Sequence, residues 1–296
     1  MTKLHFIVNP ISGNGKHNIT RSILLNYFPK DMFDIEISYT EYKKHAIELA
    51  HSEIAKKADC IIACGGDGTI NEVASTIVGT NIKLGIIPVG SGNGLASNLN
   101  IPANIEKAIA VIQKDNTSSI DVGRINEHYF FSNTGIGIDA TIIKRYETSG
   151  KRTLAAYIKA SLSSTFKFKS QNTLITINGI TTQVKPFMLF ISNSNEMGYN
   201  MSLTPKASLT DGFLDMIMIP KLSLAKQLVL GYRVLRNSAD KFKKAVNSQI
   251  REIDIEQPER IYIDTQIDGE YYNLKTNKIT VSIIEKGLKV ITPYGD

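Results

Sequence analysis

The chain has 296 residues, of which 42% are hydrophobic and 21% are charged, so it has the composition of a globular protein and room for two domains. Its N-terminus holds one apolar run, LHFIV, which is too short for a signal peptide or a membrane span, and we expect a cytoplasmic protein. The net charge of +6 favours an anionic partner, but no signature of a nucleic-acid-binding module accompanies it, so we expect no nucleic acid.

Short apolar runs alternate with helical patterns in the first part of the chain. The runs predict strands at 4–8, 33–39, 59–64 and 84–89, and the segments between and after them predict helices at 19–28, 41–57, 69–78 and 104–113. Strands that alternate with helices indicate crossover connections and a parallel sheet that is buried on both faces. We therefore predict an α/β domain with a parallel, Rossmann-like sheet over residues 1–120.

The pattern changes from about residue 119 onward. Segments that alternate apolar and polar residues follow one another, and the first of them contains Asn178-Gly179, a hairpin turn signal. Two helical patterns, at 153–166 and 222–237, interrupt these segments. We predict a mainly antiparallel β-sandwich domain over 121–290, with 291–296 as a tail that returns to the first domain. No linker separates the two domains, so we expect a cleft between them.

Three glycine-rich loops follow three of the four strands predicted for the first domain. They are NPISGNGK at 9–16, GGDGTIN at 65–71 and GSGNG at 90–94. Ligands bind at the carboxyl ends of strands in such sheets, so the loops should converge on one rim. In the second loop, Gly65 and Gly66 allow backbone amides to approach phosphate oxygens, and the N-terminus of the following helix also favours an anion.

The carboxylate between these glycines needs its own explanation. Asp67 would repel a phosphate unless a cation lies between them, and Mg²⁺ takes oxygen ligands from both. The alternative is a plain Asp-Gly turn. Thr69 and Glu72 also have the spacing of a capping box, which is the structural interpretation of these two residues. Walker A and G-x-G-x-x-G motifs are both absent, so a nucleotide site would have to be built from the three loops.

The segment from Thr148 to Asn195 has no acidic residue. Its basic residues are Lys151, Arg152, Lys159, Lys167, Lys169 and Lys185. Such a tract suits an anionic membrane surface or a phosphorylated ligand, and the alternative is a solvated face. On a helix, Leu154, Tyr157, Ile158 and Leu162 would form one apolar stripe, which either packs on the β domain or enters a membrane. We expect binding to anionic vesicles that weakens as salt rises.

The three loops, in this order and spacing, resemble the catalytic domain of the diacylglycerol kinase and sphingosine kinase family. The later segments IDVGRIN, FFSNTGIGIDA, TPKASLTDGFLDMI and IDTQIDGE extend the resemblance over nearly the whole chain, and the bacterial lipid kinases are most similar. The resemblance implies ATP-dependent phosphorylation of a lipid hydroxyl by a two-domain protein, with the active site in the interdomain cleft. The GGDG loop alone is less specific, because nicotinamide dinucleotide kinases and phosphofructokinases use similar loops.

The resemblance also implies a set of site residues. Those expected to contact ATP are Asn9, Pro10, Ser12, Gly13, Thr40, Gly65, Gly66, Asp67, Gly68, Thr69, Asn71 and Ser91. Asp67 would organise the catalytic Mg²⁺, and Lys16 is a candidate phosphate contact. The side chain of Asp211 and the backbone carbonyls of Ser208 and Phe213 would hold a structural Mg²⁺. Asp268 and Glu270 match the acidic pair of the family near the C-terminus, one of which acts as the catalytic base.

The spacing of this acidic pair agrees with such a role. At the end of an extended strand, two carboxylates two residues apart lie on the same side, and neighbouring carboxylates can differ in proton affinity. We favour Glu270 over Asp268 as the proton acceptor. The alternative is a solvated hairpin turn at Asp268-Gly269.

One position departs from the family pattern and leaves the acceptor open. Many diacylglycerol kinases have Asp where this chain has Gly94, and GSGN followed by a small residue looks more like the sphingosine kinase version. The acceptor is therefore diacylglycerol, a sphingoid base or another lipid alcohol. A kinase of a soluble acceptor such as a nicotinamide dinucleotide is a competing function, although it does not explain the acid-free tract.

A module that binds without turnover is the third hypothesis, and the presence of Asp67, Asp268 and Glu270 argues against it. A lipid acceptor implies a cytoplasmic protein that associates peripherally with an anionic membrane. The sequence does not decide whether the chain forms a homodimer.

Overall fold

A computed structural model of the chain describes residues 1–90, 92–150, 153–165, 168–196 and 201–295. The chain forms two compact units. Unit 1 consists of Met1–Ile120 and Glu285–Asp296, and unit 2 is Asp121–Ile284. Over these described ranges, none of the helices has the length and apolar character needed to cross a membrane.

Unit 1 is an α/β domain with a parallel sheet. Its strands are β1 (Thr2–Val8), β2 (Phe33–Tyr39), β3 (Cys60–Gly65) and β4 (Lys83–Pro88), and its helices are α1 (Arg21–Tyr27), α2 (His45–Ala55), α3 (Asp67–Ile77), α4 (Gly94–Asn98) and α5 (Ile105–Lys114). A 3-10 turn covers Ser12–Gly15. The strands pair in parallel in the order β2-β1-β3-β4. Phe6, Ile61 and Ile62 are fully buried, as expected for central strands of a sheet that is covered on both faces.

Unit 2 is a sandwich of two antiparallel sheets with helices. Its strands are β5 (Thr117–Ile125), β6 (His128–Phe130), β7 (Asn133–Gly137), β8 (Thr173–Ile177), β9 (Ile180–Val184), β10 (Pro186–Ser192), β11 (Leu214–Pro220), β12 (Val246–Ile250), β13 (Glu252–Glu256), β14 (Ile263–Ile267), β15 (Glu270–Leu274) and β16 (Lys278–Ile291). Its helices are α6 (Ile138–Thr148), α7 (Leu154–Thr165) and α8 (Leu224–Leu235), and Ala239–Lys241 form a 3-10 turn. The boundary between the units falls within β5 and within β16.

The two sheets of unit 2 enclose its main core. One sheet has the order β12-β11-β10-β7-β14-β15, and the other contains β16-β13-β8-β9. Alternate residues of their strands, such as Leu189, Ile253 and Val281, are buried between them. On the outer face of the six-stranded sheet, Phe190 packs in one cluster with Leu230 of α8, and Phe187 packs in another with Ala160 of α7. The predicted fold class, a parallel α/β domain followed by an antiparallel β-sandwich, is confirmed.

Two local predictions need correction. No helix was predicted over 138–148, where packing of Ile138 and Ile142 against α7 and the sheet stabilises helix α6. The apolar stripe predicted for α7 is divided. Tyr157 packs against the β domain, whereas Ile158 and Leu162 are 46% and 49% exposed. Residues 151–152 and 166–167 of the acid-free segment Thr148 to Asn195 lie outside the described residues.

Candidate active site

The three glycine-rich loops of unit 1 meet at the carboxyl edge of the parallel sheet, as the strand order predicts. Asn9 follows β1 directly; its backbone amide donates to the Cys64 carbonyl at 2.9 Å and its side-chain amide donates to the Thr69 hydroxyl at 3.1 Å. The second and third loops are in backbone contact, because a Cβ added to Gly90 would lie 2.4 Å from the Cα of Gly66. Only glycine permits this approach, and a surface of bare amides suits a phosphate.

Asp67 links the second loop to the third. It is the first residue of α3 and its side chain is exposed, so the alternative of a plain Asp-Gly turn is wrong. One carboxylate oxygen accepts from the backbone amide of Asn93 at 2.8 Å, and the other accepts from Gly94 at 2.6 Å. A carboxylate has about four acceptor positions, so each oxygen retains a lone pair for a cation or a water. The chemistry of this donor set therefore fits Mg²⁺ shared with a phosphate.

The capping box predicted at Thr69 and Glu72 is wrong. Helix α3 begins two residues earlier than predicted, so its N-cap is Gly66 and Thr69 lies in the first turn. The Thr69 hydroxyl accepts from Asn9, and a Glu72 carboxylate oxygen accepts from the backbone amide of Lys44 at 3.1 Å. Among the described residues no side chain caps α3. Its first amides can therefore face a ligand.

A pocket of ≈ 240 Å³ opens between the first and third loops. Its lining residues are Gly13, Lys16, His17, Pro88, Val89, Gly90, Asn93, Ala103 and Ile105. The Asn93 side chain shapes the third loop, since it accepts from the Gly90 amide at 3.0 Å and donates to the Gly90 carbonyl at 2.8 Å. Gly13 has φ +60°, and a Cβ there would lie 2.4 Å from the Val89 carbonyl oxygen, so only glycine fits.

His17 is a pocket residue that the sequence did not single out. Its Nε2 lies 2.9 Å from the Asn9 carbonyl oxygen, which can only accept, so Nε2 carries a proton. Its Nδ1 is buried and has no hydrogen-bond partner in the part of the chain that the structure describes. No sequence pattern pointed to this residue, because a single histidine after a loop has no diagnostic spacing.

The other predicted ATP contacts occupy varied places in unit 1. Pro10 and Ser12 lie in the first loop, and Thr40 follows β2 with its amide bonded to the Val8 carbonyl at 2.9 Å. Gly65 ends β3. Gly68 is in the first turn of α3, and a Cβ added to Gly68 would lie in open space. Asn71 lies on α3 and accepts from the Ser75 hydroxyl at 3.2 Å. Ser91 lies outside the described residues.

In unit 2, Asp268 and Gly269 form the two-residue turn of the β14-β15 hairpin. Their φ angles are +47° and +79°, as a type I′ turn requires, so the two acids do not lie on an extended strand as predicted. The turn is not simply solvated either. The Asp268 carboxylate accepts from three successive backbone amides, those of Phe131 at 2.8 Å, Ser132 at 2.7 Å and Asn133 at 3.0 Å.

Glu270 is in a different environment from Asp268. It is the first residue of β15 and is half-buried. Burial, and after it the negative charge of Glu270, raise the pKa of Tyr272. A hydrogen bond joins the Tyr272 hydroxyl to the Glu270 carboxylate. No backbone amide of the described residues donates to the Glu270 carboxylate, in contrast to the three that donate to Asp268.

A buried network supports this turn from beneath. The Gln266 side chain accepts from the Gly269 amide at 2.9 Å and donates to Asn133 Oδ1 at 2.8 Å. Gln266 also hydrogen-bonds Asp139, which is 2% exposed and whose Oδ2 has no partner within the described ranges. Burial raises the pKa of Asp139 to about 7, and the hydrogen bond from Gln266 offsets this only in part. The GIGIDA segment contains Asp139, but no sequence rule assigned it a role.

We expect Asp139→Asn to remove a pH-dependent part of the stability. The pKa of Asp139 is raised on folding, so between about pH 4 and pH 7 the folded state retains a proton that the unfolded state loses, and stability falls as pH rises. At each pH, the free energy of unfolding of the variant is compared with that of the native chain. This difference should favour the variant more at pH 8 than at pH 4.5, by at most about 4 kcal/mol. Urea unfolding at both pH values measures this, with the exposed Asp34→Asn as control. An equal difference at both pH values would contradict the prediction.

The residues predicted to hold a structural metal lie in the loop before β11. Asp211 accepts from the Phe213 amide at 3.1 Å and from the Gln249 side chain at 3.2 Å, and the Ser208 hydroxyl accepts from the Thr210 amide at 3.3 Å. Asp215 is close by. Its Oδ2 is buried without a partner among the described residues, and burial, then the charge of Asp211, raises the pKa of Asp215. Two neighbouring carboxylates and an unsatisfied oxygen fit a hard cation.

Comparisons with known proteins cover both units. Residues 3–125 match the model of the diacylglycerol kinase catalytic domain, and residues 132–292 match that of the YegS C-terminal NAD kinase beta sandwich-like domain. A diacylglycerol kinase of Staphylococcus haemolyticus (strain JCSC1435) is 29% identical over 272 residues, which cover 90% of this chain and 81% of that protein.

Solved structures are also similar. The crystal structure of a candidate diacylglycerol kinase from Bacillus anthracis str. Sterne has a TM-score of 0.77 and 25% identity, and the match covers 98% of this chain and 96% of that one. Yeast NADH kinase complexed with NADH has a TM-score of 0.53 and 13% identity, over 99% of this chain and 83% of that one. The second likeness concerns the fold alone.

Proposed function

Because the chain belongs to the diacylglycerol kinase family, we propose that it transfers the γ-phosphate of ATP, with Mg²⁺, to the hydroxyl of diacylglycerol or a related lipid alcohol. Family membership makes the chain a phosphotransferase with an alcohol acceptor. The identity of the acceptor and the role of the metal are the proposed parts. The observation that carries the proposal is the meeting of three glycine-rich loops around Asp67.

The loops of unit 1 supply what phosphoryl transfer needs from a protein. This reaction depends on positioning and charge neutralisation more than on covalent help. The bare backbone near Gly66 and Gly90 and the N-terminus of α3 would bind phosphate oxygens. Lys16 and His17 line the adjoining pocket and would contact the nucleotide there.

Asp67 would hold Mg²⁺ in this scheme, through the lone pairs that its bonds to Asn93 and Gly94 leave available. When bound, the ion neutralises charge on the transferred phosphate. The two backbone amides fix the position of the carboxylate, so no reorganisation is needed when the nucleotide binds. Gly94 supplies an amide at the position where many relatives in the family have a second carboxylate.

Glu270 would be the general base in unit 2. Its carboxylate would accept the proton of the lipid hydroxyl while that oxygen attacks the γ-phosphate and ADP leaves. We assign Asp268 a positioning role, because backbone amides already occupy its carboxylate and hold the turn that precedes Glu270.

The acceptor can be identified by transfer of labelled γ-phosphate from ATP in mixed micelles. The panel contains diacylglycerol, sphingosine and, as a soluble acceptor, NAD, each with and without excess chelator. We expect label on diacylglycerol only, and its loss with chelator. Label on sphingosine alone would identify a sphingoid base as the acceptor in place of diacylglycerol. Label on NAD alone would contradict the proposal of a lipid kinase.

We expect Mg²⁺ to stabilise the chain through Asp211 even without nucleotide. Binding to the folded state alone raises Tm, and at about ten times Kd the rise should be roughly 2–4 °C. Asp211→Asn should abolish the rise, whereas Asp67→Asn and the exposed Asp31→Asn should retain it. Thermal unfolding with and without Mg²⁺ measures the effect. An unchanged rise in Asp211→Asn would show that the cation binds elsewhere.

A further inference from the structure

Helix α8 presents an apolar stripe that the described chain does not cover. Leu228, Tyr232 and Leu235 are 61%, 64% and 57% exposed, and their spacing places them on one face of the helix. The opposite face of α8 is packed, since Leu230 and Val234 belong to the hydrophobic cluster on the outer face of the six-stranded sheet. Three large apolar side chains in a continuous stripe are more than isolated exposed residues, so a partner is indicated.

The stripe is surrounded by positive charge. Residues 221–246 contain seven basic residues and one acidic residue. The basic residues are Lys221, Lys226, Arg233, Arg236, Lys241, Lys243 and Lys244. The single acidic residue is Asp240, and its Oδ2 lies 3.8 Å from the Nζ of Lys206, a residue outside this segment. This imbalance leaves a net positive surface beside the stripe.

Two of these cations, Lys226 and Lys244, interact. The positive charge of Lys244 lowers the pKa of Lys226. No acidic side chain of the described residues forms an ion pair with either one. Both side chains are exposed, so an anionic group from outside the chain could lie between them.

We propose that α8, with the Lys226 and Lys244 pair, docks onto an anionic lipid bilayer. The helix would lie in the membrane interface, with Leu228 and Leu235 among the acyl chains, Tyr232 at the headgroup level and the cations against lipid phosphates. This inference rests on the proposed function in one respect: a lipid acceptor lies in a bilayer, so the kinase must reach its surface.

Other occupants fit the surface less well. A twofold contact between copies of this chain would bring the same cationic segment against itself, so like charges would oppose it. A nucleic acid would pair with the cations but would leave the two exposed leucines without a partner. A bilayer with anionic lipid satisfies both the apolar stripe and the charge.

The position of α8 within unit 2 is consistent with this role. Helices α7 and α8 cover the outer face of the same sheet, and Met188 of β10 packs against both of their clusters. Ile158 and Leu162 of α7 are also exposed, beside Lys159. The described part of α7, with Lys159, and the α8 surface therefore lie on one face of unit 2.

The test is co-sedimentation of the full chain with phosphatidylcholine vesicles, with and without about 30% phosphatidylglycerol, at low and high salt. The apolar variant combines Leu228→Ser, Tyr232→Ser and Leu235→Ser. The charge variant combines Lys226→Gln, Arg236→Gln and Lys244→Gln. We expect each to weaken partition onto anionic vesicles by about tenfold or more, and the charge variant to lose most of the salt dependence.

Matched controls make the same chemical changes elsewhere. Ile180→Ser with Ile261→Ser removes two apolar side chains that are 72% and 84% exposed. Lys30→Gln, Lys107→Gln and Lys114→Gln together remove three exposed cations of unit 1. Both controls should bind vesicles like the native chain. All variants should keep the native Tm and transfer phosphate at native rates in detergent micelles, where no bilayer is needed.

The outcomes separate this proposal from the proposed function. Native vesicle binding by both α8 variants would overturn the docking surface, whatever the acceptor. Vesicle binding that depends on α8 would support docking even if no lipid were phosphorylated in micelles. A dimer that the apolar variant dissociates, with vesicle binding unchanged, would instead identify a contact between copies. Loss of oligonucleotide binding alone in the charge variant would identify nucleic acid and overturn the proposal.

Discussion

Glu270→Gln is expected to lower kcat for lipid phosphorylation by about 10²- to 10⁴-fold, the range that general bases contribute. The substitution keeps the size of the side chain and removes the group that would take the proton of the acceptor hydroxyl. ATP affinity should stay within about tenfold of the native value, because a base acts on the acceptor rather than on the nucleotide. Steady-state transfer in micelles and nucleotide titration measure the two effects.

Asp268→Asn is the control for Glu270→Gln. The Asn side chain has one acceptor oxygen and would turn its NH₂ group towards a backbone amide among those of Phe131, Ser132 and Asn133. An unpaired buried amide costs about 1–3 kcal/mol, so this variant should lose stability as well as activity. If Asp268→Asn is inactive at native stability and Glu270→Gln is active, the two roles are reversed.

Asp67→Asn is expected to lower turnover by about 10³-fold or more and to abolish the dependence of turnover on Mg²⁺. Loss of the charge removes the proposed cation ligand. Loss of one acceptor oxygen also breaks a bond to Asn93 or Gly94, so the third loop should loosen and ATP affinity should fall modestly. Kinetics over a range of Mg²⁺ and ATP concentrations separate the two effects.

The matched control for Asp67→Asn is Glu106→Gln, which removes a carboxylate from the first turn of α5. This variant should retain native activity, because Glu106 is exposed and is not among the residues that line the pocket. Native turnover with ordinary Mg²⁺ dependence in Asp67→Asn would exclude the metal role. A fall in stability that accounts for the whole loss of activity would make Asp67 a structural link between loops.

Features that depend on neighbouring residues were predictable from the sequence. The alternation of apolar runs with helical patterns predicted strands β1 to β4 of the parallel sheet, and Asn178-Gly179 predicted the β8-β9 hairpin. The glycine-rich loops and the later motifs predicted the family. Each of these follows from period, turn chemistry or a short motif, which are properties of a few successive residues.

The tertiary structure alone decided which groups the acids contact. Asp67 meets amides 26 and 27 residues away, and the partners of the Asp268 carboxylate lie 135 to 137 residues earlier in the chain. The buried environment of Asp139 beside Gln266 has the same origin. Local pattern carries no record of such contacts, because they arise only when strand register and loop packing bring distant segments together. For this reason the sequence by itself determined the fold class and the family, whereas the folded chain separated Asp268, bound by backbone amides, from Glu270.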